Sequence, residues 1–371
     1  MPLVGDPGSL IQNLLDSQME VTYSSSLFSG DEMGKAGRPN VYLVVTIDTE
    51  EDQWGLTGEE ATVRNISHIP RLQSLFDRYG IIPTYLVSFP VAKNDKAMSS
   101  LRSILNDGRC EIGCHLHPWN TPPIKGAITN KSTMLSNLPY ELQLAKITHL
   151  TEAIAHQTGR PPTSFRAGRW GLGKDTLHAL ISCNYKVDSS ITPFVSWESY
   201  EGPSFKSVPV VPFIVRGSQE ITSSNGKHSI LELPVTIGYN RAPFEKSHHL
   251  ENRLGGLPSW LHARGLAKRL GILKKIWLSP ETEDAEKMLV LSRALIKHGG
   301  RVLNMTFHSN SLIPGFTPFV TSQNQLKIFY DRLEAYFDGL NSLANIKSVC
   351  MSRMADIIED GETASGTAAK E

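Results

Sequence analysis

Apolar positions along the chain alternate between two rhythms, short runs that read as strands and longer stretches with a period near 3.6 residues that read as helices. Residues 41–50 predict a first strand. Ile66, Ile69, Leu72, Leu75 and Phe76 then fall at helical spacing, and Gly80 ends that helix. Residues 81–89 predict a second strand and residues 98–105 a short helix, after which Asp107-Gly108 turns the chain into a strand over 109–117. Leu142, Ile147, Leu150 and Ile154 mark a longer helix over 140–158, closed by Gly159 and Pro161-Pro162. A strand over 164–169, a helix over 174–183 and strands over 185–189 and 229–235 follow.

The segment 244–278 reads as an inserted, peripheral helical excursion rich in Lys and Arg, with His248, His249 and His262 on its surface. The next helix is predicted to start with Ser279 as N-cap and Pro280 at the first helical position. Glu281, Glu283 and Asp284 would then face the positive end of its dipole, and Gly299-Gly300 would end it. A strand over 301–308, a helix over 324–343 and a strand over 346–351 complete the series. Strand-like and helical segments that alternate in this way predict an α/β fold with a mostly parallel sheet. Residues 1–39 are rich in Gly, Pro and Ser and read as a weakly ordered leader with one short helix near 11–15. Residues 357–371 read as a disordered tail, which leaves 40–356 as the folded domain.

Composition narrows the partners more than the fold. Lys plus Arg and Asp plus Glu both total 37, so no net positive field recommends nucleic acid or an anionic membrane surface. Four cysteines, Cys110, Cys114, Cys183 and Cys350, are too scattered for a disulfide framework and point to a reducing compartment. The first basic residue is Lys35, which does not match a secretory signal, and no apolar run approaches the roughly 20 residues of a bilayer span. A cytoplasmic location is therefore expected.

Residue types capable of catalysis recur at the ends of predicted strands. On the first strand Val41, Leu43, Val45 and Ile47 share one face, whereas Val44, Thr46, Asp48 and Glu50 share the other. Both carboxylates thus leave the strand at its C-terminal end, where parallel α/β proteins bind ligands. His115 and His117, two residues apart, share one face of the strand over 109–117, and with one carboxylate they make a three-ligand set for a catalytic metal. Phe165-Arg166-Ala167-Gly168-Arg169-Trp170-Gly171 ends a further strand with two guanidiniums and an indole, and an Arg beside a carboxylate keeps it ionised and oriented. Thr306 and His308 lie opposite Leu303, Met305 and Phe307 on the strand over 301–308.

These motifs, in this order, resemble those of the polysaccharide deacetylases of the NodB-homology type, a carbohydrate esterase family. Val45-Thr46-Ile47-Asp48-Thr49-Glu50 is similar to the first motif, residues 111–117 to the second, residues 164–171 to the third, Tyr185-Lys186-Val187-Asp188-Ser189-Ser190 to the fourth and Thr306-Phe307-His308-Ser309 to the fifth. The resemblance covers roughly residues 40–350. It implies a distorted (β/α) barrel with fewer than eight strands and a metal-dependent hydrolase acting on an N- or O-acetylated saccharide. By resemblance Asp48 is the general base, His308 the general acid and Arg166 the group that orients Asp48. Glu50, His115 and His117 hold a divalent metal, zinc, with cobalt or nickel as alternatives. Trp119, Arg169, Trp170, Asp188 and Phe316 are the candidate substrate contacts, and Trp197 is a further candidate stacking face.

Two positions depart from the common pattern. Thr49 follows Asp48 where a second aspartate is usual, which moves the second carboxylate to Glu50, and position 119 is Trp where the second histidine is usual. Both shifts keep the side chains on one strand face and imply a variant metal site. Two other readings stay open, an amidohydrolase of the same fold acting on a small amide and a catalytically silent carbohydrate-binding protein.

Overall fold

In the computed structural model, which describes residues 19–23, 37–54, 61–217, 228–255 and 273–368, the strands are Glu20–Tyr23 (β1), Asn40–Thr49 (β2), Thr84–Val87 (β3), Glu111–Leu116 (β4), Ser164–Ala167 (β5), Val187–Asp188 (β6), Phe213–Arg216 (β7), Ser229–Glu232 (β8), Ile237–Tyr239 (β9), Lys275–Trp277 (β10), Val302–His308 (β11) and Asn345–Ser348 (β12). The helices are Ile69–Tyr79 (α1), Phe89–Ala92 (α2), Asp95–Asn106 (α3), Tyr140–Thr158 (α4), Lys174–Ser182 (α5), Phe244–Gly255 (α6), Ala285–Lys297 (α7), Gln323–Leu343 (α8) and Met351–Ala368 (α9). Among the described residues no helix is long and apolar enough to cross a membrane.

Parallel strands in the order β8-β6-β5-β4-β3-β2-β11 form the wall, and β7 and β1 extend the β8 edge antiparallel. One edge of β2 is shared end to end, its first half by β12 and its second half by β3. The two ends of the wall meet through the segment after β8. Asn304 Nδ2 donates to the carbonyls of Leu233 and Pro234 at 3.1 and 3.3 Å, and Thr236 N donates to Asn304 O at 3.0 Å. This is the distorted barrel of fewer than eight strands.

The alternation of β2 builds the interior in layers. Val41, Leu43, Val45 and Ile47 point outward into the core shared with the helices, and Val44 points inward beside Leu86, Val187, Leu231 and Val302. Met351, Met354, Ala355 and Ile358 of α9 close this inner cluster from the N-terminal ends of the strands. There Thr84 Oγ1 accepts from Met351 N, and a Glu111 carboxylate oxygen accepts from Ser352 N. Each of the two methionines and Ile358 contributes roughly 1.5–3 kcal/mol by burial. Polar residues at Thr46, Arg166, Ser189, Asn304 and Thr306 form the next layer, and the strands end above it.

Several elements differ from the sequence reading. The strand expected over 81–89 spans only Thr84–Val87, and Phe89 begins α2. The strand expected over 185–189 shrinks to Val187–Asp188, and β7, β9 and β10 carry no alternation strong enough to announce them. The helix expected from Ser279 starts at Ala285, because the Asp284 carboxylate caps Lys287 N at 2.9 Å while Glu281 is drawn to His308. The strand expected over 346–351 ends at Ser348, Met351 opens α9, and the helix runs on to Ala368 through the residues expected to be a disordered tail.

Part of the leader, β1, pairs with β7, whereas the helix expected near 11–15 lies outside the described residues. Within the segment 244–278 the helix covers Phe244–Gly255, and Lys275–Trp277 is a strand paired with β9. Leu278, just beyond it, bonds to Thr236 and Thr306, so this end of the segment is joined to the barrel wall. His248 is buried, bonded to Tyr239 Oη at 2.9 Å, and is not the surface residue expected. His262 lies outside the described residues.

Candidate metal centre and active site

Strand register brings the reactive side chains together before any side-chain contact is considered. His308 stands opposite Asp48 in the β11–β2 ladder, and His115 stands opposite Arg166 in the β4–β5 ladder. All four lie at the C-terminal ends of parallel strands and are buried or nearly so. They face a cavity of about 390 Å³ that Asp48, Glu50, His115, His117 and His308 share with Trp54, Trp119, Ile128, Thr133, Ala167, Arg169 and Trp170.

At its floor three ligand atoms converge. His115 Nε2 and His117 Nε2 lie 3.0 Å apart, and Glu50 Oε2 is 3.4 and 3.1 Å from them. The opposite ring nitrogens settle the tautomers. His115 Nδ1 meets the carbonyl oxygen of Arg166 at 3.2 Å, and His117 Nδ1 meets Glu51 Oε1 at 2.8 Å. Both partners only accept, so each Nδ1 carries the hydrogen and each neutral ring turns a lone pair toward its neighbour and toward a carboxylate. Three such lone pairs in a buried site repel unless a cation lies among them. The spacing is close to the edge of a tetrahedral site with ligand bonds of about 2.0–2.1 Å.

Without a metal the site can relieve this repulsion only with a proton. Burial opposes a charge on His117, yet Glu51 and Glu50 outweigh it and push the imidazole up to about 10. Glu50, Trp54, Ser309 and Asn310 show how the carboxylate is aimed. Trp54 Nε1 donates to Glu50 Oε1, Asn310 Nδ2 approaches the same oxygen at 3.3 Å, and Glu50 N reaches Ser309 Oγ at 3.1 Å, which leaves Oε2 for the histidines. Glu51 also accepts from Asn120 Nδ2 and Ser88 Oγ, so it is held as firmly as the ring it orients. Lys146 ties down the loop beyond His117 by donating to the carbonyls of Pro118, Thr121 and Pro123 at 2.8, 2.5 and 2.9 Å.

Asp48 is divided between two tasks. Its Oδ1 accepts from Arg166 Nη1 at 2.6 Å, and its Oδ2 lies 3.9 Å from His115 Nε2 and 3.8 Å from His308 Nε2. Burial favours the protonated acid, but Arg166 first, then His115 and His308, hold its pKa below the ordinary value. Arg166 is fully buried, and every donor is used: Nε on Ser189 O, Nη1 on Asp48 and Thr306 Oγ1, and Nη2 on Thr46 Oγ1 and Ser189 Oγ. That rigid cradle keeps Oδ2 ionised and free.

His308 is the one partly exposed member of the group, and its Nδ1 is 2.9 Å from Glu281 Oε2. Burial opposes its charge, but Glu281, followed by Glu50 and Asp48, pushes it up to about 10. Trp54 packs edge-on at 5.2 Å and Phe319 stacks at 6.3 Å, which leaves Nε2 directed at Asp48.

The wall follows from the Gly168-Arg169-Trp170-Gly171 turn. A Cβ on Gly168 would fall 2.3 Å from His117 Cδ2, so only glycine lets the His117 ring pass. Arg169 and Trp170 adopt left-handed backbone, with φ of 54° and 60°, at a cost of about 1–3 kcal/mol each. Trp119 lines the cavity but is nearly buried, with one ring face stacked on His117 at 4.1 Å.

Three sequence candidates, Asp188, Phe316 and Trp197, fall outside the cavity lining. Asp188 is fully buried, with its carboxylate on Ser190 N and Oγ at 3.0 and 2.7 Å and Glu232 beside it, so it supports the strand end and not a substrate. Phe316 packs under Arg64 at 4.7 Å, and the ring that this loop stacks on His308 is that of Phe319. Trp197, half-buried, is likewise not part of the lining and bonds Thr192. Conversely, sequence reasoning passed over Glu51, Trp54 and Glu281. Glu51 and Asp52, which follow Glu50 in the acidic run 50–52, are as buried as Glu50 itself.

No protein-family model and no curated protein matches the chain. Among solved structures, a candidate polysaccharide deacetylase from Mycobacterium smegmatis superposes with a TM-score of 0.51 at 16% identity, over 92% of this chain and 96% of that one. A candidate glycoside hydrolase/deacetylase from Parabacteroides distasonis superposes with a TM-score of 0.52 at 12% identity, over 86% of this chain and 71% of that one. At these identities the likeness is one of backbone, and the conclusion it carries is that this chain has the fold of the polysaccharide deacetylases.

Proposed function

We propose that the protein is a metal-dependent hydrolase that removes an acetyl group from an N- or O-acetylated saccharide. The observation that carries this reading is the convergence of a Glu-His-His set, a cation-held aspartate and a carboxylate-held histidine on one cavity. Glu50, His115 and His117 would hold a divalent metal, which when bound supplies Lewis-acid polarisation of the acyl carbonyl and of water.

The chain's own groups supply the proton transfers. Asp48 accepts the proton of the attacking water at Oδ2, because Arg166 keeps that carboxylate ionised and Oδ1 occupied. His308, whose Nε2 lies 3.8 Å from Asp48 Oδ2, delivers a proton from Nε2 to the departing amine or alkoxide, with Glu281 fixing Nδ1. A base held deprotonated and an acid held protonated within the same cavity are the two states that general acid–base hydrolysis needs, and each is worth about 10²–10⁴-fold in rate. Trp119 backs His117, and Arg169 and Trp170 form the wall against which the sugar lies.

The reading is tested by loading the protein with Zn²⁺, Co²⁺ or Ni²⁺ and following acetate release from N-acetylglucosamine oligomers and O-acetylated sugars. Acetate release that disappears together with metal content in a His115→Ala/His117→Ala variant supports it. Stoichiometric metal with no acetate released from any acetylated sugar overturns it.

A further inference from the structure

We infer that the cavity recognises a saccharide bearing an anionic group, a carboxylate or a phosphate ester, through Arg169; as a statement about substrate this rests on the deacetylase reading above. The first observation is the backbone. Arg169 and Trp170 occupy left-handed conformations that glycine adopts without strain, and glycines stand on both sides of them. Those glycines serve close approach instead, Gly168 against His117 and Gly171 against the Leu135 backbone nitrogen, where a Cβ would fall at 2.8 Å. A turn required only to change direction would place its glycines at the strained positions. Here those positions carry a guanidinium and an indole, and both line the cavity.

The second observation is the state of the two guanidiniums that this motif supplies. Arg166 is fully buried and has all its donors engaged within the protein. Arg169 is half-buried; its Nη1 donates to Thr133 Oγ1 and its guanidinium lies 5.7 Å from the Tyr200 ring. Among the described residues it has no other side-chain hydrogen bond and no carboxylate within ion-pair distance. Thr133 is itself a lining residue, so the cation is anchored from the side with donors left at the cavity.

The third observation is charge. The floor holds Asp48 and Glu50, yet Arg169 is not paired with either and is held apart by Thr133 and Tyr200. Asp48 already has Arg166, and Glu50 faces His115 and His117, so neither carboxylate calls on Arg169 and its charge stays available to a substrate. The planar fork of donors on Arg169 matches a carboxylate or phosphate, and a neutral sugar would leave it without a charged partner.

The test separates recognition from turnover. With metal-loaded protein, calorimetry measures binding of glucose, glucuronate and glucose 6-phosphate, none of which carries an acetyl group. Kinetics on N-acetylglucosamine, N-acetylmuramic acid and N-acetylglucosamine 6-phosphate then follow acetate. The expected result is at least one anionic sugar bound about tenfold more tightly than glucose, with the same preference appearing in KM and not in kcat. Whichever anionic arm is favoured identifies carboxylate or phosphate as the group.

Arg169→Met should collapse the anionic-to-neutral ratio, and Arg169→Lys should restore part of it. Equal affinity for all three sugars, or a preference that persists in Arg169→Met, overturns the inference. If Arg169→Met does not fold, the wild-type ratio and the Arg169→Lys variant still decide it. Preference without acetate release from any probe would sink the deacetylase reading and leave the anion site standing, whereas acetate release without preference would do the reverse.

Discussion

Glu281 reaches across 27 positions of sequence to place Oε2 2.9 Å from Nδ1 of His308, and its other carboxylate oxygen accepts from the His308 backbone nitrogen at 3.2 Å. This double contact fixes both the ring and its charge. Burial works against the imidazolium, Glu281 is the largest influence in its favour, and the group is pushed up to about 10. A metal on Glu50 would cancel one of the smaller contributions and leave that of Glu281 in place.

The first prediction concerns pH. An acid catalyst acts in its protonated form, so activity is present below the pKa of His308 and is lost as pH rises through it. Glu281→Gln removes the chief cause of the raised value and should move the alkaline limb of kcat down by about one pH unit or more. A pH–rate profile checks this, and an unmoved alkaline limb would remove Glu281 from the mechanism.

Glu51 orients His117 from behind the metal set. Glu51→Gln keeps the shape but offers a neutral partner to Nδ1, and the affinity for Zn²⁺ should fall by about 10–100-fold. Competition with a chromophoric chelator measures the change. An unaltered affinity would mean that the stack on Trp119 holds the ring without help.

Gly168→Ala should abolish metal binding while leaving the fold largely intact. The added Cβ would meet His117 Cδ2 at 2.3 Å and the Leu116 carbonyl at 2.9 Å, and backbone on one side leaves the ring as the part that must yield. Metal analysis beside far-ultraviolet circular dichroism tests it; one full equivalent of bound metal in a folded variant would refute the close-contact argument.

The buried pair Asp188 and Glu232 carries a stability prediction. Burial, and then Asp188 beside it, holds Glu232 well above its ordinary value of 4.5, and Asp188 is raised as well. A raised carboxyl contributes stability that is fully present below the unfolded value and lost as pH rises through the folded one. The melting temperature should therefore fall as pH rises above about 4.5, and Glu232→Gln, which cannot ionise, should flatten that decline. Parallel curves for the two proteins would show that Glu232 does not titrate in this range.

Much of the site was legible because it depends on local periodicity. Strand alternation places Asp48 and Glu50 together, His115 and His117 together, and His308 at a strand end, while a parallel sheet gathers those ends at one rim. Some of what was missed had a signal. Met351, Met354, Ala355 and Ile358 stand at helical spacing and announce the buried face of α9, although the polar residues after them suggested a tail. Glu51 had none: β2 ends at Thr49, Glu50 still falls where continued alternation puts it, and only beyond Glu50 does the chain turn so that the Glu51 side chain reaches His117 as well.

The sequence by itself thus determined the α/β alternation, the strand ends and the reactive groups carried on them, because each depends on the stereochemistry of a few neighbouring residues. Only the tertiary structure decided which carboxylate holds which histidine and which aromatic ring meets His308. It also decided that Asp188 and Phe316 stand outside the cavity and that Glu281 serves a histidine and not a helix dipole. Those pairings are made between segments distant in the chain, and a long-range contact is settled by packing and by the need of each buried polar group for a partner, neither of which has a period to be read.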